Sequence, residues 1–134
     1  MTPTPRSVLI VDDDASIRLL LMTFLRRSGF QLRQARNGRE ALAEMRAGHP
    51  DVVVMDLTMP DVSGWEVLRV RAADPSLRDI PVIILTAMNR GQALVDVAGK
   101  GVSDVVGKPF DLDILLTAIN ASLDFAGVPT PLAA

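Results

Sequence analysis

Carboxylates stand where predicted strands end. Four apolar residues, Val52 to Met55, run directly into Asp56, and the apolar segment Ser7 to Val11 runs into Asp12 and Asp13. Strands that are apolar at successive positions are typical of a parallel sheet covered by helices on both faces. Ligands bind at the carboxyl ends of the strands in such sheets. We therefore expect three carboxylates to meet at one edge of a sheet.

Two further polar side chains are predicted at the same edge. Thr86 stands at the end of the fourth predicted strand, and Lys108 follows the fifth. Three neighbouring carboxylates do not all stay ionised unless a cation joins them, and oxygen ligands without histidine or cysteine favour Mg²⁺. With Mg²⁺ and Lys108 neutralising a phosphoryl group and Thr86 hydrogen-bonding to it, Asp56 could attack as the nucleophile. The pattern predicts a phosphoryl-transfer site whose product is a phosphoaspartate.

The composition excludes several other classes of protein. The 134 residues suit one domain, and no apolar run approaches the roughly 20 residues of a membrane span. Cysteine is absent, so disulfides and thiolate metal sites are excluded, and no apolar leader opens the chain. A net charge of −2 without a basic block argues against nucleic-acid binding. A cytoplasmic protein is the simplest interpretation.

Hydrophobic periodicity predicts five strands and five helices in alternation. The predicted strands are residues 7–11, 31–35, 51–56, 82–85 and 104–106. The predicted helices run from Ala15 to about Gly29, from Arg39 to Ala47, from Trp65 to about Ala73, from Gln92 to Ala98, and from Leu112 onwards. Right-handed crossovers then give an α/β fold, a doubly wound five-stranded parallel sheet of the (βα)5, flavodoxin-like kind with helices on both faces. Residues 1–6 are predicted to be a flexible arm, 7–125 the domain, and 126–134 a disordered tail.

Helical spacing also predicts which faces are buried. The first helix should bury one stripe, made of Ile17, Leu20, Leu21, Phe24 and Leu25. The third helix should bury Trp65, Leu68 and Ala72, and the last should bury Leu112, Leu115, Leu116, Ile119 and Leu123. Three arginines of the first helix, Arg18, Arg26 and Arg27, are interpreted as a solvated face.

Four motifs occur together in a fixed order along the chain. Within residues 7 to 125, the chain carries LIVDDD, PDVVVMDLTMPDVSG, IPVIILTA and GKPF in this order. In order and spacing they resemble the response-regulator receiver domain, the phosphoacceptor module of two-component signalling. The resemblance implies that Asp56 accepts a phosphoryl group from the phosphohistidine of a histidine kinase or a histidine phosphotransfer protein. The modified domain would then signal by changing its affinity for a downstream protein.

The resemblance also implies roles for the other residues of the site. Asp13 and Asp56 would bind Mg²⁺ together with the backbone carbonyl of Thr58, and Asp12 would act through a water molecule on the metal. Thr86 would take the family's switch role, and Lys108 would contact the phosphoryl group. The Lys108-Pro109 bond is expected to be cis. Such a domain assists its own phosphorylation and dephosphorylation and is not an enzyme with a separate substrate.

One departure from the family concerns the fifth strand. Receivers usually carry an aromatic residue three positions before the lysine, and here that residue is Val105. A valine cannot swing between exposed and buried rotamers as an aromatic ring does. The neighbouring segment 91 to 101 is also unusually rich in glycine. We therefore expect signalling to depend on ordering of this region.

Other functions remain open at this stage. The chain could be a receiver-like adaptor that works without phosphorylation. A phosphohydrolase of the haloacid dehalogenase type is less well supported, because those enzymes place a second aspartate two residues after the nucleophile, where this chain has Thr58. The sequence identifies neither the kinase nor the target. It leaves open a phosphorylation-dependent homodimer, and whether the domain is free-standing or excised from a longer protein.

Overall fold

A computed structural model describes residues 5–124, which form one parallel sheet flanked by helices. The strands are β1 (Ser7–Val11), β2 (Gln31–Ala35), β3 (Val52–Asp56), β4 (Val82–Thr86) and β5 (Val102–Gly107). They pair in the order β2-β1-β3-β4-β5. The strand order switches direction between β1 and β3, which is where ligands bind in sheets of this kind. The predicted fold class is confirmed, whereas the predicted tail lies outside the described residues.

The helices follow the strands in strict alternation. They are α1 (Ala15–Arg27), α2 (Gly38–Gly48), α3 (Gly64–Ala73), α4 (Arg90–Val97) and α5 (Leu112–Asp124). Each begins with a capping side chain that accepts backbone N–H groups of the first turn, namely Asp14, Asn37, Ser63, Asn89 and Asp111. The caps end the loops that leave the carboxyl edge of the sheet, and so they limit where those loops can lie. Within residues 5–124 no helix has the length and apolar character needed to span a bilayer.

Two apolar layers cover the two faces of the sheet. One layer packs α1 and α5 on alternate strand residues, and its members include Val8, Ile10, Leu21, Leu25, Val54, Ile83, Leu115 and Ile119. The other packs α2, α3 and α4 on the remaining strand residues, and its members include Leu9, Val11, Met45, Val53, Leu68, Ile84 and Val97. Because both faces are covered, β3 and β4 are buried along their whole length.

The burial predicted for two helices is partly wrong. Leu20 was expected in the buried stripe of α1, but it is 49% exposed because α1 packs through a narrower stripe centred on Leu21 and Leu25. Ala72 of α3 is exposed as well. The position before it, Arg71, is only 3% exposed. Its guanidinium donates hydrogen bonds to backbone carbonyls, and these bonds allow a cation to occupy this buried position.

The glycine-rich segment folds differently from the prediction. Helix α4 begins at Arg90 rather than at Gln92, because Asn89 caps it. Of the three glycines, only Gly91 lies inside the helix. Gly99 and Gly101 follow it with φ of +78° and +76°, values that favour glycine. These two residues therefore turn the chain into β5, and that strand is longer than predicted.

Candidate functional site

Three carboxylates meet at the carboxyl ends of β1 and β3. The strands are paired with Val11 opposite Met55, so that Asp12 and Asp56 follow side by side. One carboxylate oxygen from each of Asp12, Asp13 and Asp56 lies within 4.8 Å of the others. Asp12 is 1% exposed and Asp56 is 7% exposed, whereas Asp13 is open to solvent. The cluster therefore consists of two buried carboxylates and one that is exposed to solvent.

Lys108 lies between the two buried carboxylates. Its Nζ donates to Asp12 Oδ2 at 2.9 Å and to Asp56 Oδ2 at 3.2 Å. Burial alone would lower the pKa of the Lys108 ammonium, but the hydrogen bond and charge of Asp12, joined by those of Asp56, outweigh it and raise the pKa. Lys108 is therefore a cation in this site. It neutralises one of the three neighbouring negative charges.

The surroundings of Asp56 make its ionised form less favourable than in water. Burial raises the pKa of its carboxyl group, although the Thr58 N–H, which donates to Oδ1 at 3.0 Å, and Lys108 both favour the ionised form. The negative charge of Asp12 adds to the increase. An ionised Asp56 is thus incompletely compensated by the surrounding protein. A further cation would relieve this strain on the carboxylate.

The loop that carries Asp12 and Asp13 is held at several atoms. The Asp12 N–H donates to the Ala35 carbonyl at 3.2 Å, and Asp12 Oδ1 accepts the Asp14 N–H at 2.9 Å. The Asp12 carbonyl accepts a hydrogen bond of 2.7 Å from Arg18 Nη1. The prediction that Arg18 belongs to a solvated face is therefore wrong. Its position one turn after the cap was the available signal, because helical side chains lean toward the helix N-terminus.

Close backbone packing fixes the loop after Asp56. A Cβ on Gly64 would lie 2.5 Å from the Asp56 carbonyl oxygen and 2.8 Å from Leu57 Cα. The Gly64 N–H also donates to the Leu57 carbonyl at 3.0 Å. Only glycine permits this approach, so Gly64 closes the β3–α3 loop against the strand end. The helical pattern that begins at Trp65 in the sequence gives no sign of this contact.

Thr86 lies at the end of β4, beside the end of β5. It is paired with Gly107, and the Lys108 N–H donates to the Thr86 carbonyl at 2.6 Å. Thr86 Oγ1 accepts the Met88 N–H at 3.1 Å, which leaves the hydroxyl hydrogen able to donate elsewhere. The Lys108-Pro109 bond is cis, as expected. Thr86 and Lys108 are therefore joined through the backbone at the same sheet edge.

Val105 and its surroundings differ from an aromatic switch. The valine side chain is fully buried in the layer under α4. The Val105 carbonyl accepts a hydrogen bond of 3.0 Å from Arg90 Nε, and Arg90 Nη2 lies 3.3 Å from Asp104 Oδ1. Arg90 is the first residue of α4, four positions after Thr86. A guanidinium thus links the start of α4 to β5 at the position where receivers usually have an aromatic residue.

The cluster of carboxylates fits a magnesium ion. Its ligands are hard oxygen atoms, one of them solvent-facing, and the single ammonium of Lys108 cannot neutralise all three carboxylates. Mg²⁺ prefers such oxygen ligands and keeps several water molecules, and Asp13 faces solvent. The geometry places Asp12, Asp13 and Asp56 together with Lys108. Their chemical roles stay predictions.

Comparison with known proteins agrees with this geometry. The model of the response regulator receiver domain matches residues 8–120. The chain therefore belongs to the response regulator receiver domain family.

Similar proteins differ greatly in length. The chain is 34% identical over 119 residues to the chemotaxis protein CheY of Bacillus subtilis, which covers 87% of this chain and 97% of CheY. It is 37% identical over 117 residues to the CAI-1 autoinducer sensor kinase/phosphatase CqsS of Vibrio cholerae, where the match covers 87% of this chain but only 17% of CqsS. The high-resolution structure of the chemotaxis response regulator CheY4 of Vibrio cholerae superposes with a TM-score of 0.83 at 29% identity, covering 90% of this chain and 100% of that chain. Receiver domains of this kind thus occur both alone and inside larger proteins.

Proposed function

We propose that this receiver accepts a phosphoryl group on Asp56 from a histidine kinase or a histidine phosphotransfer protein, in a reaction that requires Mg²⁺. The observation that carries the proposal is the position of Asp56. Its carboxylate is buried, receives hydrogen bonds from Lys108 and from the Thr58 N–H, and lies against two further carboxylates. A phosphoryl donor supplied by a kinase that uses ATP makes the cytoplasm the proposed compartment.

The proposed step transfers the phosphoryl group between two proteins. A carboxylate oxygen of Asp56 forms a bond to phosphorus while the P–N bond of the donor phosphohistidine breaks. The electron pair of that bond leaves on the imidazole nitrogen, which then takes up a proton. Little covalent chemistry is asked of the receiver beyond its nucleophile, so positioning and charge stabilisation are its main contributions.

Lys108 and Thr86 are proposed to stabilise the transferred group. The Lys108 ammonium already lies 3.2 Å from Asp56 Oδ2, close enough to contact an oxygen of a phosphoryl group on that side chain. Thr86 uses its oxygen to accept the Met88 N–H, so its hydrogen can donate to a second phosphoryl oxygen. Asp13, Asp56 and the Thr58 carbonyl would hold Mg²⁺, with Asp12 beside them. When bound, Mg²⁺ supplies positive charge to the phosphoryl oxygens.

We further propose that phosphorylation changes the affinity of the α4–β5 surface for a protein partner. A hydrogen bond from Thr86 to the phosphoryl group would pull the β4–α4 loop toward the site, and this loop leads directly into Arg90. The contact between Arg90 and the Val105 carbonyl would then be altered, and with it the start of α4. The partner can be a different protein or a second copy of the chain.

The mass of the intact protein tests the phosphorylation step. Wild-type protein incubated with acetyl phosphate and Mg²⁺ is expected to gain one phosphoryl group. The adduct should be lost without Mg²⁺ and in Asp56→Asn.

Asp61→Asn is the matched control for this experiment. It makes the same chemical change in the loop that follows Asp56, on an exposed residue whose φ of +65° suits asparagine. It should be phosphorylated like the wild type. If folded wild-type protein gains no adduct from acetyl phosphate or from a phosphorylated histidine phosphotransfer protein, the proposal is wrong, and the adaptor interpretation is favoured.

A further inference from the structure

Arg18 connects the first turn of α1 to the loop that carries the acid pair. Its Nη1 donates to the Asp12 carbonyl at 2.7 Å, and its Nε donates to Gln34 Oε1 of β2 at 2.9 Å. The side chain is half-buried, and the two contacts direct the guanidinium from both sides. This geometry differs from that of Arg27 on the same helix, which lies in the last turn and is exposed.

The carbonyl that Arg18 binds belongs to the peptide bond between Asp12 and Asp13. Because a peptide unit is planar, holding its oxygen also sets the direction of the nitrogen that begins Asp13. Asp12 is fixed independently through its N–H and both oxygens of its carboxylate. The Asp13 carboxylate is exposed, so its place beside Asp56 depends on the backbone that carries it.

We propose that Arg18 is a positioning residue for the magnesium ligands. By holding the Asp12–Asp13 peptide, it keeps the exposed carboxylate of Asp13 within reach of Asp56. This inference rests on the proposed function in one respect, because it requires that the site binds Mg²⁺.

Electrostatics alone predicts the opposite change in Mg²⁺ affinity when Arg18 is removed, so the direction of the change tests the proposal. A guanidinium near a divalent cation repels it, so removing that charge alone should strengthen Mg²⁺ binding. If Arg18 orders the ligands, removing it should weaken binding. Groups that orient metal ligands without touching the metal typically contribute tenfold or more to affinity.

The experiment measures Mg²⁺ affinity by isothermal titration calorimetry, without any phosphoryl donor. Arg18→Ala is expected to bind Mg²⁺ about tenfold more weakly than the wild type. Gln34→Ala keeps the charge of Arg18 but removes the bond that orients it, and about threefold weaker binding is expected. Arg27→Ala makes the same change in net charge on the same helix and should bind like the wild type. Thermal unfolding checks that each variant is folded. If Arg18→Ala does not fold, the Mg²⁺ affinity of Gln34→Ala tests the proposal in its place.

The possible outcomes separate this inference from the proposed function. Unchanged or tighter binding in a folded Arg18→Ala variant, with normal binding by the wild type, overturns the role of Arg18 alone. If Arg18→Ala does not fold, unchanged Mg²⁺ binding by Gln34→Ala likewise overturns the role of Arg18. An equal loss in Arg27→Ala also overturns it, because the effect would not depend on the contact with Asp12. A wild-type protein that binds no Mg²⁺ overturns both the inference and the proposed metal site.

Discussion

The two sides of the site are built in different ways. On the acid side, the β1–α1 and β3–α3 loops are held by contacts to backbone atoms. The Asp14 side chain caps α1 by accepting two N–H groups, and Gly64 packs directly on the Asp56 backbone. On the opposite side, α4 has only eight residues, and its cap Asn89 accepts one N–H at 3.2 Å. Arg90, which ties α4 to β5, has a side chain that is 57% exposed.

Under the proposed function, this difference would separate metal and phosphoryl binding from signalling. Metal and phosphoryl chemistry needs ligands whose positions do not change, and the close packing on the acid side supplies them. A signalling element must shift when a small free energy is applied, and exposed contacts worth a few tenths of a kcal/mol allow that. We infer that the acid side is preorganised, and that the start of α4 is the part that responds.

The far end of α4 does not share this weak attachment. Arg71 donates through Nε to the Ile80 carbonyl at 2.9 Å and through Nη2 to the Gly101 carbonyl at 3.2 Å, with Nη1 3.5 Å from the Lys100 carbonyl. Burial lowers the pKa of this guanidinium, and the charge of Asp79 opposes the change. The turn after α4 is thus anchored to α3. Movement of α4 should therefore be confined to its first turn.

The largest expected effect follows from removing this anchor. Arg71→Met keeps the buried stem but leaves the carbonyls that the guanidinium bound without their donor. We expect a loss of about 3 kcal/mol in the free energy of unfolding, since buried hydrogen bonds to a charged group are involved. Urea denaturation measures it. Arg69→Met, which removes only an exposed pair with Glu66, should leave stability nearly unchanged. Equal effects would mean that Arg71 is no anchor.

Close packing on the acid side predicts the next largest effect. In Gly64→Ala, the added methyl group would collide with the Asp56 carbonyl oxygen and Leu57 Cα, and backbone atoms cannot move aside as a flexible side chain can. We expect a loss of about 2 kcal/mol, typical of overpacking. Gly48→Ala is the control, because its new Cβ would find no atom closer than 3.7 Å. If Gly64→Ala is as stable as Gly48→Ala, the acid side is less rigid than inferred.

The charge of Asp56 gives a pH-dependent prediction. Because its pKa is higher in the folded protein than the ordinary 3.8, the folded state binds the proton more tightly than the unfolded state. The contribution of Asp56 to the stability of the metal-free protein should therefore fall as the pH rises from 3.8 through the raised folded value. Asp56→Asn should lack this fall, so its stability advantage over the wild type should grow across that interval. Thermal unfolding in a chelator measures the difference, and an advantage that is constant with pH would contradict the prediction.

Magnesium should reverse this relation. The ion binds the ionised carboxylates, so it stabilises the folded wild type in proportion to its affinity, and most strongly once the carboxylates are ionised. Asp56→Asn lacks one ligand, so it should gain less stability at the same Mg²⁺ concentration. An equal gain in both proteins would place the ion elsewhere.

The sequence predicted the strand-end residues because two strong signals coincide there. Apolar runs identify buried strands, and a carboxylate, hydroxyl or ammonium directly after such a run stands out, as Asp56 and Lys108 do. Arg18 and Arg71 carry no such signal, because a helical arginine usually faces solvent. Their acceptors include backbone carbonyls, which any residue type provides. In the case of Arg71, one acceptor lies 30 positions along the chain. Such contacts depend on how elements pack together, which local patterns do not encode.

The smallest expected effect concerns the start of α4. Arg90→Ala removes the contacts with the Val105 carbonyl and Asp104, so the first turn of α4 should exchange its amide hydrogens about two- to threefold faster, as expected for an exposed pair worth about 0.5 kcal/mol. Gln92→Ala, which removes an exposed contact within α4, leaves that link intact and should affect the first turn less.

In the wild type, beryllofluoride with Mg²⁺ mimics the phosphoryl group and should change the hydrogen-exchange protection of residues 88–107. Because Arg71 anchors the other end, the change should be greatest near Arg90. Unchanged protection across this segment would mean that the receiver does not signal through α4.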